Sequence, residues 1–537
     1  RGSDGWAESG GCGVPFSGRI VINAWRLVRD EVKLRDYSFE SVVRHTLGVR
    51  TPLLPPAVLS ARWLKGGARG RREVGAYLAG RLQLLAGTLE ALEVVGRMAE
   101  MARVFGLDLI SVFTRGSQLR VESVLLRLAR ARGQVLLSPP KAMVASQRPL
   151  LHVALLLEPE GRYYASPVIV LDFRALYPSL MVAYNLCFST VLGDEPILRE
   201  AAEAAEAAAA AALAKARAAA KIAYLHGHGQ LFVAPNGAVF ITREVREGIL
   251  PSMVKEILDT RFMVKRALKA ALATAARRDG GTDDAALRRL RRALDARQIG
   301  LKLLSNVTYG YASASFSGRM PCTPLADAIV SCGAETLRRA IAHVEADVAG
   351  AYLGARVVYG DTDSLFIELP NATRAEAFAV GRKIAAAVTS TEPHPVELEF
   401  EKVYHPCILV AKKRYCGYAF SSEGQVAPSY EVKGLESIRR DSCAAVAKAM
   451  DRSLRALFDA SGDLSAAKAT VTRALRKVVA GNAPISDFTF AKEVHLGTYR
   501  AMPPPAALVA ERARSLDPMA APQTGERVAY VVVAGGP

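Results

Sequence analysis

Apolar residues along this chain follow two periodicities. Across residues 72–106, Leu82, Leu85, Leu89, Leu92 and Val95 recur at spacings of three and four, the signature of an amphipathic helix. From Pro251 to about Arg277, and again over about 284–309, the pattern is helical. The "RDGGTDD" between them carries turn residues, so the pair predicts a helical hairpin. Between 149 and 171 the pattern shifts to two short apolar runs of strand type, "LLHVALLLE" and "PVIVLDF". The second predicts a strand buried on both faces. At 355–369, "ARVVYGDTDSLFIEL" has two strand-like halves around Gly360-Asp361-Thr362-Asp363, which predicts a β-hairpin. Beyond 441 the pattern is mainly helical, ending in a strand-like "RVAYVVV". Pro139-Pro140 marks a boundary near residue 140. Residues 199–222 are nearly pure Ala with Glu, Lys and Arg. That composition is strongly helical and carries no chemistry, and it reads as an insertion.

Length and charge narrow the function. At 537 residues the chain is too long for one ordinary core, and about three or four domains are expected. A formal net charge of +18 favours a polyanionic partner, nucleic acid ahead of anionic membrane. The excess concentrates in 243–302, where fifteen Lys or Arg stand against eight Asp or Glu. The seven cysteines (Cys12, Cys187, Cys322, Cys332, Cys407, Cys416, Cys443) include no C-x-x-C pair. Their scatter argues against a disulfide framework or zinc knuckle and for reduced thiols in an intracellular protein. Neither a membrane span nor a secretory signal is visible. The chain starts at Arg1 rather than Met and stops at Gly536-Pro537, which reads as a fragment.

Three segments carry candidate chemistry. "VIVLDFRALYPS" delivers Asp172 at the C-terminal end of a strand, where a carboxylate is either a turn cap or a metal ligand. The hairpin tip places Asp361 and Asp363 two residues apart; like charges there repel, and a hard divalent cation is the natural compensation, the alternative being an exposed acidic turn. On the helical hairpin, Lys302, Asn306 and Tyr309 stand at i, i+4 and i+7, and Arg261 and Lys265 at i, i+4 on the opposing helix. Such donors make a triphosphate grip or, more commonly, a solvated basic face.

Taken together these segments resemble the family B DNA polymerases. "DFRALYPS" at 172–179 is similar to motif A of that family, "KLLSNVTYG" at 302–310 to motif B, "YGDTDS" at 359–364 to motif C, and "KKRY" at 412–415 to its primer-binding motif. Four motifs in family order are far more specific than any one alone. The wording of "TRGSQLRVESVLLRLA", "NVTYGYASASFSGRMPC" and "KGLESIRRDSCAAV" is similar to a translesion branch of the family more than to its replicative members.

The resemblance implies an α/β (α+β) right-hand polymerase with palm, fingers and thumb plus a remnant of an exonuclease-like domain. Its parts would be the remnant at 1–110, palm at 111–250 and 311–432, fingers at 251–310 and thumb at 433–537. It implies primer extension by two-metal phosphoryl transfer with two Mg²⁺ ions. Asp172 and Asp363 would be ligands, Phe173 would add its backbone carbonyl, and Asp361 is a weaker third acid. Arg261, Lys265, Lys302, Asn306, Leu176 and Tyr177 would bind the deoxynucleoside triphosphate, Tyr177 excluding a 2′-hydroxyl. Primer-template DNA would meet Lys412, Lys413, Arg414, Tyr415, Tyr309, Gly310, Arg439 and Arg440.

Where proofreading members carry an acid four residues after a Tyr, this chain has Tyr77 and Arg81, and no Asp occurs between Asp36 and Asp108. The remnant is therefore expected to be structural. A nuclear location is implied. Accessory subunits and a sliding clamp are implied for a full-length protein, and an iron–sulfur cluster or zinc only for a Cys-rich region beyond Pro537. The competing expectations are a replicative member of the family, distinguished by exonuclease carboxylates, and an inactive polymerase-fold scaffold.

The charge excess makes a first prediction. Affinity for primer-template should fall steeply with salt, at a log–log slope of roughly −0.9 per phosphate contact, with little dependence on sequence. Neutralising Lys412 and Lys413 should flatten that slope by about one unit or more. A salt-independent affinity in a titration would contradict it.

Overall fold

A computed structural model describes residues 18–194, 225–277, 285–314, 319–346, 350–516, 522 and 525–534. The Ala-rich run at 199–222 and the "RDGGTDD" turn lie outside these residues. Two compact units emerge, Glu100–Glu431 on one hand and Arg1–Ala99 with Val432–Pro537 on the other. The boundary expected at Pro139-Pro140 falls inside the larger unit. There the prolines end an irregular stretch and lead into a short helix, Lys141–Ala145.

The larger unit is built on a seven-stranded sheet. Its strands are β1 (Arg162–Tyr164), β2 (Val168–Phe173), β6 (Arg356–Asp361), β7 (Ser364–Glu368), β8 (Leu398–Ala411), β9 (Arg414–Phe420) and β10 (Ser429–Lys433). They are ordered β10-β9-β8-β2-β7-β6, with β1 against β8. Strands β3 (Val191–Asp194), β4 (Leu231–Val233) and β5 (Ala238–Ile241) form a separate small sheet. The continuous apolar run of β2 is explained by cover on both sides. Val168 and Val170 join a buried cluster with Tyr164, Tyr359, Phe366 and Tyr404. Ile169, on the opposite pleat, packs toward Gly381 of the Arg374–Thr391 helix.

The first apolar run, "LLHVALLLE", does not become a strand. It touches the β6–β7 hairpin through one bridge, Leu156 to Asp361, and through two hydrogen bonds. The Leu157 amide donates to the Gly360 carbonyl at 3.0 Å, and the Thr362 amide to the Leu155 carbonyl at 2.9 Å. Upstream, the amides of Leu151 and His152 donate instead to the buried carboxylate of Asp327, both at 3.1 Å. Leu151 and Val153 are left exposed, so apolar content here reflects no ladder.

Both long helices of the hairpin form, Ile249–Arg277 and Ala285–Ser313, and they pack along each other. The helical pattern over 72–106 becomes two helices, Gly67–Ala91 in the smaller unit and Val94–Phe105, which runs on past Ala99 into the larger one. Glu93 adopts φ 52° between them, a left-handed conformation that interrupts a helix. The C-terminal strand signal is β12 (Glu526–Tyr530), antiparallel to β11 (Phe490–Val494). The Pro505–Leu516 helix covers it through Ala506, Ala507 and Ala510. Among the described residues, no helix is long and apolar enough to cross a membrane.

The seat of the Arg374–Thr391 helix on the sheet depends on Gly381. A Cβ there would lie 2.7 Å from the Phe400 ring and 2.9 Å from Ile169 Cγ2. Gly381→Val should therefore cost about 1–3 kcal/mol through overpacking, read by thermal or urea unfolding. A variant as stable as the parent would contradict this packing.

Candidate active site

Strand β2 and the β6–β7 hairpin bring the acids together through their backbones. In register, Asp172 and Asp361 each lie opposite Ser364 from the two flanking strands. Thr362 turns the hairpin tip at φ 62°, and the Asp363 amide donates to the Asp361 carbonyl at 2.6 Å. The Phe173 amide donates to the Asp363 carbonyl at 2.7 Å. This last bond ties the end of β2 to the tip and keeps Asp363 beside Asp172.

The electrostatics follow. Burial, then the charges of Asp363, Glu401 and Glu399, push the Asp172 carboxyl up to about 7 against the opposing pull of Lys302. Asp363 is raised too, by burial first, with Asp361 and Glu401 adding and Lys413 opposing. Asp361 stands apart. Its carboxylate takes an ion pair from Lys413 Nζ at 2.8 Å and hydrogen bonds from Thr362 Oγ1 at 3.2 Å and the Tyr359 hydroxyl at 3.4 Å. Asp361 is thus spent on the turn, and Asp172 with Asp363 is the pair left in need of positive charge.

A divalent cation fits that need, since half-buried carboxylates ionise together when a cation lies between them. Among the described residues, no group of three or more His, Cys, Asp or Glu side chains is arranged to hold a metal alone. A cation here would complete its shell with water or phosphate oxygens, the habit of Mg²⁺.

Lys302 and Tyr177 lie within electrostatic reach of this pair. Ala175, at φ 49°, turns the chain from β2 into the Leu176–Ala183 helix. Leu176 and Tyr177 then pack on Gly333, where a Cβ would sit 2.8 Å from Tyr177 Cε1 and 3.6 Å from Leu176 Cδ2. The Tyr177 ring lies 5.1 Å from that of Tyr309, which Gly310 follows. Burial, then Tyr309 and Asp363, push the Tyr177 hydroxyl up to about 12. Lys302 and Asn306 are exposed one turn apart on the same helix. On the opposing helix, Lys265 is exposed and Arg261 half-buried. Burial and the neighbouring Arg174 guanidinium draw the Arg261 pKa down, against Glu399, and its buried Nε has no hydrogen-bond partner.

Three residues that sequence reasoning passed over belong here. Arg174 donates to Glu397 at 2.9 Å, pairs with Glu399 at 3.4 Å and lies 3.4 Å over the Phe262 ring of the hairpin. Glu399 and Glu401 act on Asp172 from β8. Their signal was the alternation of acids in "ELEFE" at 397–401, which places Glu397, Glu399 and Glu401 on one face.

The remaining expected contacts are mostly occupied within the chain. Lys412 and Lys413 form the two-residue turn between β8 and β9, with Ala411 paired to Arg414 and Lys413 at φ 59°. Lys412 pairs with Glu158 at 3.0 Å. Arg414 is half-buried. The Tyr415 ring packs among Tyr359, Phe366 and Tyr404 with centroids 6.3, 5.1 and 6.2 Å away, so it supports the sheet. In the smaller unit, Arg439 grips Asp441 with two bonds of 3.0 and 2.8 Å. Arg440 donates to the Tyr37 hydroxyl at 2.7 Å. Arg81 donates to Glu40 at 2.6 Å and to the Tyr77 hydroxyl at 3.1 Å, so this position carries a paired cation rather than an acid.

Residues 107–536 match DNA polymerase family B, and the chain belongs to that family. It is 45% identical over 99% of its length to the DNA polymerase zeta catalytic subunit of Arabidopsis thaliana, of which it covers 27%. To the zeta catalytic subunit of Homo sapiens it is 44% identical over 97% of its length, covering 16% of that protein. The DNA polymerase delta catalytic subunit of Bos taurus is more distant, at 34% identity over 97% of this chain and 43% of its own. The chain thus spans 16–27% of these zeta relatives and 43% of the delta one.

The raised Asp172 pKa carries a pH signature. Its ionised form opposes folding; that penalty is absent below the ordinary carboxylate range, grows as pH rises and is complete above about 7. Asp172→Asn should therefore raise the metal-free Tm at pH 8 but hardly at pH 4. Mg²⁺ should stabilise the parent at pH 8 and leave the variant nearly unchanged. A Tm gap equal at both pH values would contradict the shift.

Proposed function

We propose that this chain is the polymerase core of a template-directed DNA polymerase, adding deoxynucleotides to a primer 3′-end. The supporting observation is the Asp172–Asp363 pair, held in repulsion by the Phe173–Asp363 backbone bond beside an aromatic wall of Tyr177 and Tyr309. Asp172, Asp363 and the Phe173 carbonyl would hold two Mg²⁺ ions. When bound, such ions supply Lewis-acid stabilisation of the phosphates and activation of the primer hydroxyl.

The chain's own groups orient the substrates. Arg261, Lys265, Lys302 and Asn306 bind the incoming triphosphate from the fingers, taken as 251–310, with Leu176 and Tyr177 below it. The Tyr177 ring, fixed by Gly333, stands where a ribonucleotide would carry its extra oxygen. Lys412 and Lys413 meet the primer-template through its backbone, after Lys413 exchanges Asp361 for phosphate. The palm is 111–250 with 311–432 and the thumb 433–537. The 1–110 segment shapes the molecule without trimming DNA, since Arg81 and Glu40 neutralise each other where a proofreading site needs free acids. The similarity to zeta catalytic subunits supports a translesion or mismatch-extending role in the nucleus, with accessory subunits and a sliding clamp as partners of the whole protein.

Primer extension tests this reading. Asp172→Ala and Asp363→Ala should each lose several orders of magnitude in nucleotide addition while still binding primer-template, and a mismatched primer should be extended by the parent and never trimmed. Near-normal extension by either variant, or release of mononucleotide from the mismatched end before nucleotides are added, would refute it.

Sugar selection gives a second check. Tyr177→Ala should use ribonucleotides far more readily than the parent, whereas Tyr177→Phe keeps the ring and its discrimination. An unchanged ribo- to deoxyribonucleotide ratio in the alanine variant would move the gate elsewhere.

A further inference from the structure

In the smaller unit, the helices Pro56–Lys65 and Gly67–Ala91 meet so closely that no side chain fits between them. A Cβ on Gly66 or Gly70 would lie 2.5 or 2.2 Å from the Arg62 carbonyl oxygen. This junction gathers "ARWLKGGARGRRE", residues 61–73, into one corner with five cations and a single acid, Glu73. Glu73 holds Arg69 at 3.0 Å and Arg62 at 3.6 Å. Lys65 lies one turn from Arg62 and Arg72 one turn from Arg69, both exposed. Arg71 reaches over Trp63, its guanidinium 6.0 Å from the ring centre. The indole is 49% exposed. A tryptophan held in water beside cations, with its arginine already over the ring, is more than a solvated basic face.

We propose that this corner binds single-stranded nucleic acid, an unpaired base stacking on Trp63 while Lys65, Arg71 and Arg72 neutralise the adjoining phosphates. The chemistry selects that ligand. A flat exposed ring takes an unpaired base irrespective of sequence, whereas duplex bases are already stacked. An acidic peptide would satisfy the cations and leave the ring unused. The inference uses neither Asp172 nor Asp363, so it stands or falls apart from the polymerase reading.

The test uses the full chain, preloaded with primer-template bearing a single-nucleotide overhang so that the polymerase channel is filled. Fluorescent oligo-dT is then titrated by anisotropy. Trp63→Ala should weaken oligonucleotide binding about tenfold or more, and Trp63→Phe should retain most of it. Arg71→Gln with Arg72→Gln should flatten the log–log salt slope by about 1.4. Nucleotide addition to the preloaded primer should be unaffected by all three. Parent-like binding by Trp63→Ala, or a salt slope untouched by the double variant, overturns the proposal. So does a polyglutamate peptide whose binding falls in the double variant while that of the oligonucleotide does not, which would assign the corner to an acidic protein segment.

Discussion

The structure is organised around two carboxylates that repel each other and are not allowed to separate. Asp172 ends a strand whose other residues are almost wholly buried, so it cannot retreat without disturbing the sheet. Asp363 is fixed by a hairpin tip whose carbonyl receives the Phe173 amide. Burial disfavours the charged form of both and raises both pKa values, with Asp363 adding its charge at Asp172 and Asp361 and Glu401 adding theirs at Asp363. The sheet therefore holds an unmet demand for positive charge at the end of an interior strand.

Like charges of the opposite sign also meet nearby. Arg174 and Arg261 are close enough to lower the latter's pKa, with Glu399 as a shared counter-charge and Phe262 as the surface on which Arg174 rests. Asp172 and Asp363 remain short of positive charge, and Arg261, from the first helix of the hairpin, keeps a buried Nε with no hydrogen-bond partner. In the proposed reading a metal-bound triphosphate would answer both, its phosphates meeting Arg261 and its cation the carboxylates. Tyr177 packs closely on Gly333.

Much of this was legible in the sequence, and the reasons differ by residue. The β2 run and the β6–β7 hairpin announce themselves because a strand covered on both faces reads as unbroken hydrophobicity and a tight turn must carry turn residues. Roles that depend on which groups meet across hundreds of residues were not legible. Tyr415 reads as part of a basic motif, yet its ring belongs to an aromatic cluster under the hairpin. Asp361 reads as one of a metal-binding pair, yet the lysine that neutralises it arrives from the β8–β9 turn. The "LLHVALLLE" run reads as a strand, yet its first amides, of Leu151 and His152, go to the Asp327 side chain of a distant helix, and only its later residues touch the β6–β7 hairpin. The acids of β8 were visible as an alternation, but only the register of β2 against β8 turns it toward Asp172.

The most direct measurement is the count of protons released when Mg²⁺ binds the assembled site. With a dideoxy-terminated primer-template and the matching deoxynucleoside triphosphate present, calorimetry in buffers of different ionisation enthalpy counts the protons released, and the same titration of the triphosphate without protein is subtracted to leave the protein's share. Because Asp172 titrates at about 7, Mg²⁺ should expel a substantial fraction of a proton near pH 6.5 and almost none near pH 8.5. The pH 6.5 release should vanish in Asp172→Asn. Release that is absent at pH 6.5, or that survives in Asp172→Asn, would show that the Asp172–Asp363 pair is not where the cation binds.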